Sequence, residues 1–260
     1  MEARSSHTQV RLFDDPEEMA RGVADRLLRW TASRLEAGER FTVALSGGTT
    51  PLHLFDLLSQ EPYRGRIPWH RIHFFWGDER MVPPDHEESN YGTADRALLR
   101  RLQLPSDQIH RIRGEVADPD EAAAEYASEL RTTFRLREGE LPRFDLVLLG
   151  MGTDGHIASL FPGNPALWEN RKLVTSAYLP KPGIHRITLT CPVINNAACI
   201  VFMVAGEEKA EILRRALEGP HEPHLLPAQL VRPQEGEFLW YIDRAAGRLL
   251  SQSTLDSGRS

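Results

Sequence analysis

Short apolar runs that stop at glycine-rich or acidic turns, each followed by helical spacing, recur along almost the whole chain. This alternation limits the possible folds more than any other feature. Residues 41–45 (Phe-Thr-Val-Ala-Leu) stop at Ser46-Gly47-Gly48-Thr49-Thr50-Pro51, residues 71–76 at Gly77-Asp78-Glu79-Arg80, and residues 144–149 at Gly150-Met151-Gly152. Such runs have strand length and little polar alternation, as expected where both faces of a parallel sheet are covered. Further strands are expected at residues 8–13, 109–112, 172–177, 186–190, 198–204 and 238–242. A helix opens at Asp15-Pro16-Glu17, with proline and acid in its first turn, and keeps its apolar spacing through Met19, Val23, Leu27, Thr31 and Leu35 until Gly38. Helices are also expected at residues 52–58, 91–102, 119–137 and 210–217, while residues 227–231 are ambiguous. The pattern predicts an α/β fold, a mainly parallel sheet with helices on both faces. No repeat or long linker divides the chain, so one domain is expected over residues 8–250. Residues 1–7 read as loose, and residues 251–260 as a polar, disordered tail.

Charge and cysteine content narrow the partners. The formal net charge is −6, so no basic field gathers nucleic acid or an anionic membrane, and neither is expected as a partner. An anionic substrate must be held by a few local cations. No apolar run approaches transmembrane length and no signal-peptide pattern opens the chain, so a cytoplasmic location is expected. The 2 cysteines, Cys191 and Cys199, read as small core residues. The pairs His70/His73 and His221/His224 lack a third ligand, and no metal site is expected.

Several turns carry groups suited to chemistry. Strand 144–149 runs through Gly150-Met151-Gly152 into Asp154-Gly155-His156, placing a carboxylate and an imidazole two residues apart where open α/β sheets bind ligands. The plain alternative is a turn in which Asp154 caps a helix. Ser46, Gly47, Gly48, Thr49 and Thr50 join a strand to a helix. Their backbone N–H groups, hydroxyls and helix N-terminus form a candidate cradle for phosphate or sugar phosphate. The stretch lacks the lysine of a P-loop and the third glycine of a dinucleotide fingerprint. At Asp78-Glu79-Arg80 one of the acids is expected to orient the guanidinium. Arg186 opens a strand, and Lys209 stands in a first helical turn, where lysine opposes the helix dipole. Both are candidate cations.

These motifs come in the order and spacing of one family. Ser46–Pro51, Trp76–Arg80, Ser89-Asn90-Tyr91-Gly92, Gly152-Thr153-Asp154-Gly155-His156-Ile157-Ala158-Ser159-Leu160-Phe161-Pro162, Pro180-Lys181-Pro182, residues 186–190 and residues 206–210 together resemble the 6-phosphogluconolactonases over nearly the whole chain. The glucosamine-6-phosphate deaminases of the same superfamily share the Gly-Gly-Thr loop and the Asp-Gly-His turn. They follow that turn with a Phe-Asn-Glu-Pro pattern, and its glutamate partners their histidine. Here Ser159-Leu160-Phe161-Pro162 provides no carboxylate, which favours the lactonase.

The resemblance implies a doubly wound, Rossmann-like sheet, no metal or organic cofactor, and hydrolysis of 6-phospho-D-glucono-1,5-lactone in the oxidative pentose phosphate pathway. His156 is expected to activate water and then protonate the leaving ring oxygen, as suits a side chain that titrates near neutrality. Asp154 would orient the imidazole or hold a sugar hydroxyl, with Gly155 permitting close approach. Arg80, steadied by Asp78, would serve the carbonyl or orient substrate. Ser46, Gly47, Gly48, Thr49 and Thr50, with Arg186 and Lys209, would hold phosphate. The expected partner is a small sugar-phosphate lactone, and the expected state a monomer or weak homodimer. The rival readings are a glucosamine-6-phosphate deaminase and a non-catalytic sugar-phosphate sensor.

Overall fold

The computed structural model describes residues 8–35, 40–180 and 183–257. The expectations placed on residues 1–7, Gly38, Lys181, Pro182 and residues 258–260 lie outside the described residues. Among the described residues ten strands are formed: β1 (Thr8–Phe13), β2 (Phe41–Leu45), β3 (Ile72–Trp76), β4 (Asp78–Arg80), β5 (Ile109–His110), β6 (Leu146–Leu149), β7 (Val174–Leu179), β8 (Ile184–Leu189), β9 (Cys199–Val204) and β10 (Glu237–Asp243). Seven make one sheet in the order β1-β10-β9-β6-β2-β3-β5, with every pairing parallel. Every residue of β2, β6 and β9 is buried, which is why these strands read as apolar runs, with Thr42 of β2 the one polar member. Phe202 stacks on Trp240 at 3.9 Å between centroids, and Phe75, Phe134 and Phe144 form a second aromatic cluster. Both cysteines are free and sit in the protein interior or its margin. Burial pushes the Cys191 thiol to about 11 and the Cys199 thiol to about 12.

The helix Pro16–Leu35 buries Met19, Val23, Leu27 and Leu35 along one stripe, and the helix Pro119–Phe134 is capped by Asp118 through Asp120 N and Glu121 N. Its Tyr126 hydroxyl donates to Trp76 O and accepts from Trp76 N, clasping the end of β3.

Two features depart from the expected plan. The strands foreseen near residues 172–177 and 186–190 leave the main sheet and form a second, antiparallel sheet in the order β4-β8-β7. Its third member is Asp78–Arg80, which the sequence presents as a turn. The chain end is also more ordered than its polarity suggests. Helix Gln252–Asp256 is capped by Ser251, whose hydroxyl bonds to Glu218 at 2.7 Å, and Val10 N donates to Ser257 Oγ at 3.3 Å. Here the polar residues supply capping and edge-strand partners for β1.

Candidate active site

From β2 the main sheet grows through β3 to β5, and from its neighbour β6 it grows through β9 and β10 to β1. Loops leaving two such strands diverge, which opens a crevice beyond their carboxyl ends. The cleft there has a volume of about 410 Å³. Ser46 to Thr50, Asp78, Arg80, His156, Arg186 and Lys209 all border it.

The loop after β2 is tied to the loop after β6: Gly150 N donates to Ser46 Oγ at 3.3 Å. Gly48 holds φ +91°, a conformation that strains any residue with a Cβ. The helix Thr50–Leu58 begins immediately after, with no side-chain cap from Thr49 and no acid in its first turn. Pro51 has no N–H and Leu52 N donates to Thr49 O at 3.1 Å, so the helix offers an external anion its positive dipole end beside the glycine loop.

His156 stands on the turn after β6. Its Nδ1 lies 2.5 Å from Asp154 Oδ1, and the same oxygen accepts from His156 N at 3.1 Å. Partial burial pushes the Asp154 carboxyl up, but the hydrogen bond and charge of His156, together with backbone N–H groups, outweigh it and leave the carboxyl below its ordinary value. Gly152 leaves room for the pair, because a Cβ there would run into the imidazole and Asp154 Oδ1. Asp154 is thus hydrogen-bonded to the ring from outside the cleft. Gly155, expected to touch substrate, instead packs against Leu226 at φ +82°, and its carbonyl accepts from Ala228 N at 3.0 Å. Its missing side chain serves the packing of this loop on residues 226–228.

Arg80 and Arg186 face each other across β4 and β8. Among the described residues each Nε is buried without a partner. Burial first, and then the neighbouring Arg80 charge, hold the Arg186 guanidinium below its ordinary value, against the pull of Asp78, Glu88 and Glu79. Two adjacent cations with spare donors form a receptor for an anion or a polarised carbonyl. Asp78 does not steady Arg80 as expected. Its Oδ2 accepts from Ser159 Oγ at 2.7 Å and its Oδ1 from Asn90 Nδ2 at 3.2 Å, and among the described residues no ion pair joins it to Arg80. Arg80 Nη1 donates instead to Glu88 O at 2.5 Å. Glu79 is buried, accepting from Arg80 N, Asn90 N, Tyr91 N and Ser89 Oγ at 2.7–3.1 Å. Burial raises its carboxyl above the ordinary value despite these donors. Glu79 is a scaffold for the segment from Ser89 to Tyr91.

Lys209 ends the 3₁₀ turn Glu207–Lys209, directly before helix Ala210–Glu218. It has no ion pair among the described residues, so its charge is available to the cleft. Sequence reasoning missed the supporting roles of Ser159 and Asn90. The available signals were the Ser89-Asn90-Tyr91-Gly92 motif and a lone hydroxyl, Ser159, inside the apolar stretch from Ile157 to Phe161. Of the two histidine pairs, His73 bonds His110 at 2.9 Å and His221 bonds Arg232 at 2.8 Å. Among the described residues no group of three or more His, Cys, Asp or Glu side chains could hold a metal ion. Among them, too, no helix is long and apolar enough to cross a membrane.

Residues 14–240 match the family described as glucosamine-6-phosphate isomerases/6-phosphogluconolactonase. The chain is 42% identical to a 6-phosphogluconolactonase of Synechocystis sp. over 222 residues, covering 85% of this chain and 89% of the relative. It is 41% identical to the 6-phosphogluconolactonase of Rattus norvegicus, covering 93% of each. The crystal structure of a devB protein superposes with a TM-score of 0.86 at 36% identity, covering 94% of this chain and 100% of that one. With a family match over most of its length and relatives this similar, the chain belongs to the glucosamine-6-phosphate isomerase/6-phosphogluconolactonase family.

Proposed function

We propose that this protein hydrolyses 6-phospho-D-glucono-1,5-lactone to 6-phospho-D-gluconate, the lactonase step of the oxidative pentose phosphate pathway. The observation that carries the reading is the Asp154–His156 pair beside a cleft lined by unneutralised cations. With Nδ1 engaged by Asp154, Nε2 is the nitrogen left to take a proton from water. The water oxygen then bonds to C1, the ring C1–O bond breaks, and the imidazolium returns its proton to the departing ring oxygen. Arg80 stabilises the developing charge on the carbonyl oxygen. The N–H groups and hydroxyls of Ser46 to Thr50, with Lys209 and Arg186, hold the phosphate. A δ-lactone is intrinsically reactive, so general-base help of about 10²–10⁴-fold is sufficient, and no step is assigned to a metal or organic cofactor.

The names of the relatives support the substrate. Against deamination stands Phe161, at the position where the deaminase pattern carries its glutamate. The reading extends to a cytoplasmic enzyme, monomeric or weakly dimeric, whose partner is a small molecule and not nucleic acid.

The test generates the lactone in place with a glucose-6-phosphate dehydrogenase at mildly acidic pH, where spontaneous hydrolysis is slow, and follows 6-phosphogluconate formation. The wild type accelerates it, and His156→Ala loses about 10²-fold or more in turnover with substrate binding kept. A variant as fast as the wild type removes His156 as the base. Ligand binding without any acceleration by the wild type moves the assignment to a sensor.

A further inference from the structure

The imidazole of His156 is held on its edge by Asp154 and on its face by Phe161. The two ring centroids are 4.3 Å apart, with planes inclined at 32°. The same phenyl ring lies beneath the Arg186 guanidinium, whose Cζ is 5.7 Å from its centroid, within the range of a cation–π contact. Phe161 does not border the catalytic cleft. With Asp154 it borders a separate groove of about 1060 Å³. The ring is therefore a partition: His156 and Arg186 meet the cleft on one side, and the groove opens on the other. Apart from Asp154, the titratable and charged groups that share the cleft with His156 are His53 of helix Thr50–Leu58, Asp78 and Arg80 of β4, Arg186 of β8, and Glu208 and Lys209.

We propose that Phe161 is the positioning residue of this site: one ring fixes the plane of the His156 imidazole against Asp154 and carries the Arg186 guanidinium into the cleft. The proposal rests on His156 being the base. Without the ring the imidazole is free to turn about its Cβ–Cγ bond, which breaks the alignment with Asp154, and Arg186 loses its platform. Turnover must then fall because the base is no longer aimed, and KM must rise as Arg186 loses its support. An aliphatic side chain can replace the buried volume of Phe161 but not its flat, electron-rich face.

Phe161→Leu, Phe161→Met and Phe161→Tyr test this beside the wild type. The measurements are thermal melting, kcat and KM for the phosphorylated lactone, and NMR relaxation of the His156 ring, which reports whether the ring is fixed. The aliphatic variants are expected to lose about ten-fold in kcat, raise KM, and show a mobile His156 ring. Phe161→Tyr stays within about two-fold of the wild type, with the ring fixed. Aliphatic variants that match the wild type in kcat and ring mobility overturn the proposal. So does a tyrosine variant that fails equally with its melting intact, and so does melting of both aliphatic variants below the assay temperature, which makes the ring a packing element. The NMR measurement needs no turnover, so a wild type without lactonase activity would remove the proposed function while leaving the ring's hold on His156 separately measured.

Discussion

Gly152→Ala separates the geometry of the base from the stability of the fold. Gly152 does not occupy the left-handed region, so its backbone accepts alanine without strain. The added Cβ would lie 2.6 Å from Asp154 Oδ1 and still closer to the imidazole, roughly an ångström short of ordinary van der Waals contact. Both obstructing groups are surface side chains, exposed by 50% for Asp154 and 30% for His156, and they can swing aside. The expected loss of stability is therefore below about 1 kcal/mol. The hydrogen-bonded pair cannot swing and keep its aim. A misplacement of about 1 Å in a positioned catalytic group costs on the order of 10²-fold, and that is the expected fall in kcat. The phosphate cradle comes from other loops, so KM should stay within about three-fold. The assay is the dehydrogenase-coupled lactone measurement with spontaneous hydrolysis subtracted, run beside a thermal melt. A variant that melts like the wild type and turns over within about three-fold of it would refute the claim that this glycine exists to make room for the base.

Lys209→Ala should raise KM by about ten-fold or more, the worth of one charge-assisted hydrogen bond, with little change in kcat. An unchanged preference for the phosphorylated lactone over plain gluconolactone, measured side by side, would remove Lys209 from the phosphate site. Glu79→Gln places an amide donor against one pair of the donors that converge on this carboxylate. A loss of about 1–3 kcal/mol is expected, read by urea denaturation, and a variant of wild-type stability would contradict the scaffold role. Glu115 is held at about 2 by its hydrogen bond to Arg111, with burial opposing. Its folded value is depressed, so the stability it contributes is present above its ordinary value of 4.5 and is lost as pH falls from there toward 2. Melting temperatures of the wild type and Glu115→Gln should converge across that window. Parallel curves would refute the assignment.

The parallel sheet was legible because β2, β6 and β9 are covered on both faces and so announce themselves as almost wholly apolar runs. The two glycine loops were legible for a related reason, since each interrupts such a run with residues that can neither pack nor propagate a helix. β4 was not. It is three residues long, all charged, and its pairing with β8 depends on contacts 106–110 residues away in sequence. The partners of Asp78 were hidden too, Ser159 lying 81 residues away and Asn90 12. Nearness in sequence suggested Arg80, whereas the fold delivers Ser159 and Asn90, whose hydroxyl and amide occupy the carboxylate. Gly155 was misread because flexibility beside a histidine suggests substrate, while the space it frees is filled by Leu226. The C-terminal helix escaped notice because its stabilising partners, Glu218 and Val10, are remote from a segment that is polar by itself.

Gly77 joins the two sheets: its N–H donates to Leu45 O at 2.9 Å and its carbonyl accepts from Leu189 N at 2.8 Å. On one side of that stitch lie the loops bearing the base and the cradle, and on the other the hairpin bearing Arg186 opposite Arg80. Phe161 spans that stitch, touching His156 of the β6 loop and Arg186 of β8. A retwisting of the hairpin formed by β7 and β8 would therefore shift Arg186 against Arg80 and disturb the ring beneath the imidazole in the same movement, while β2 and β6 kept their register.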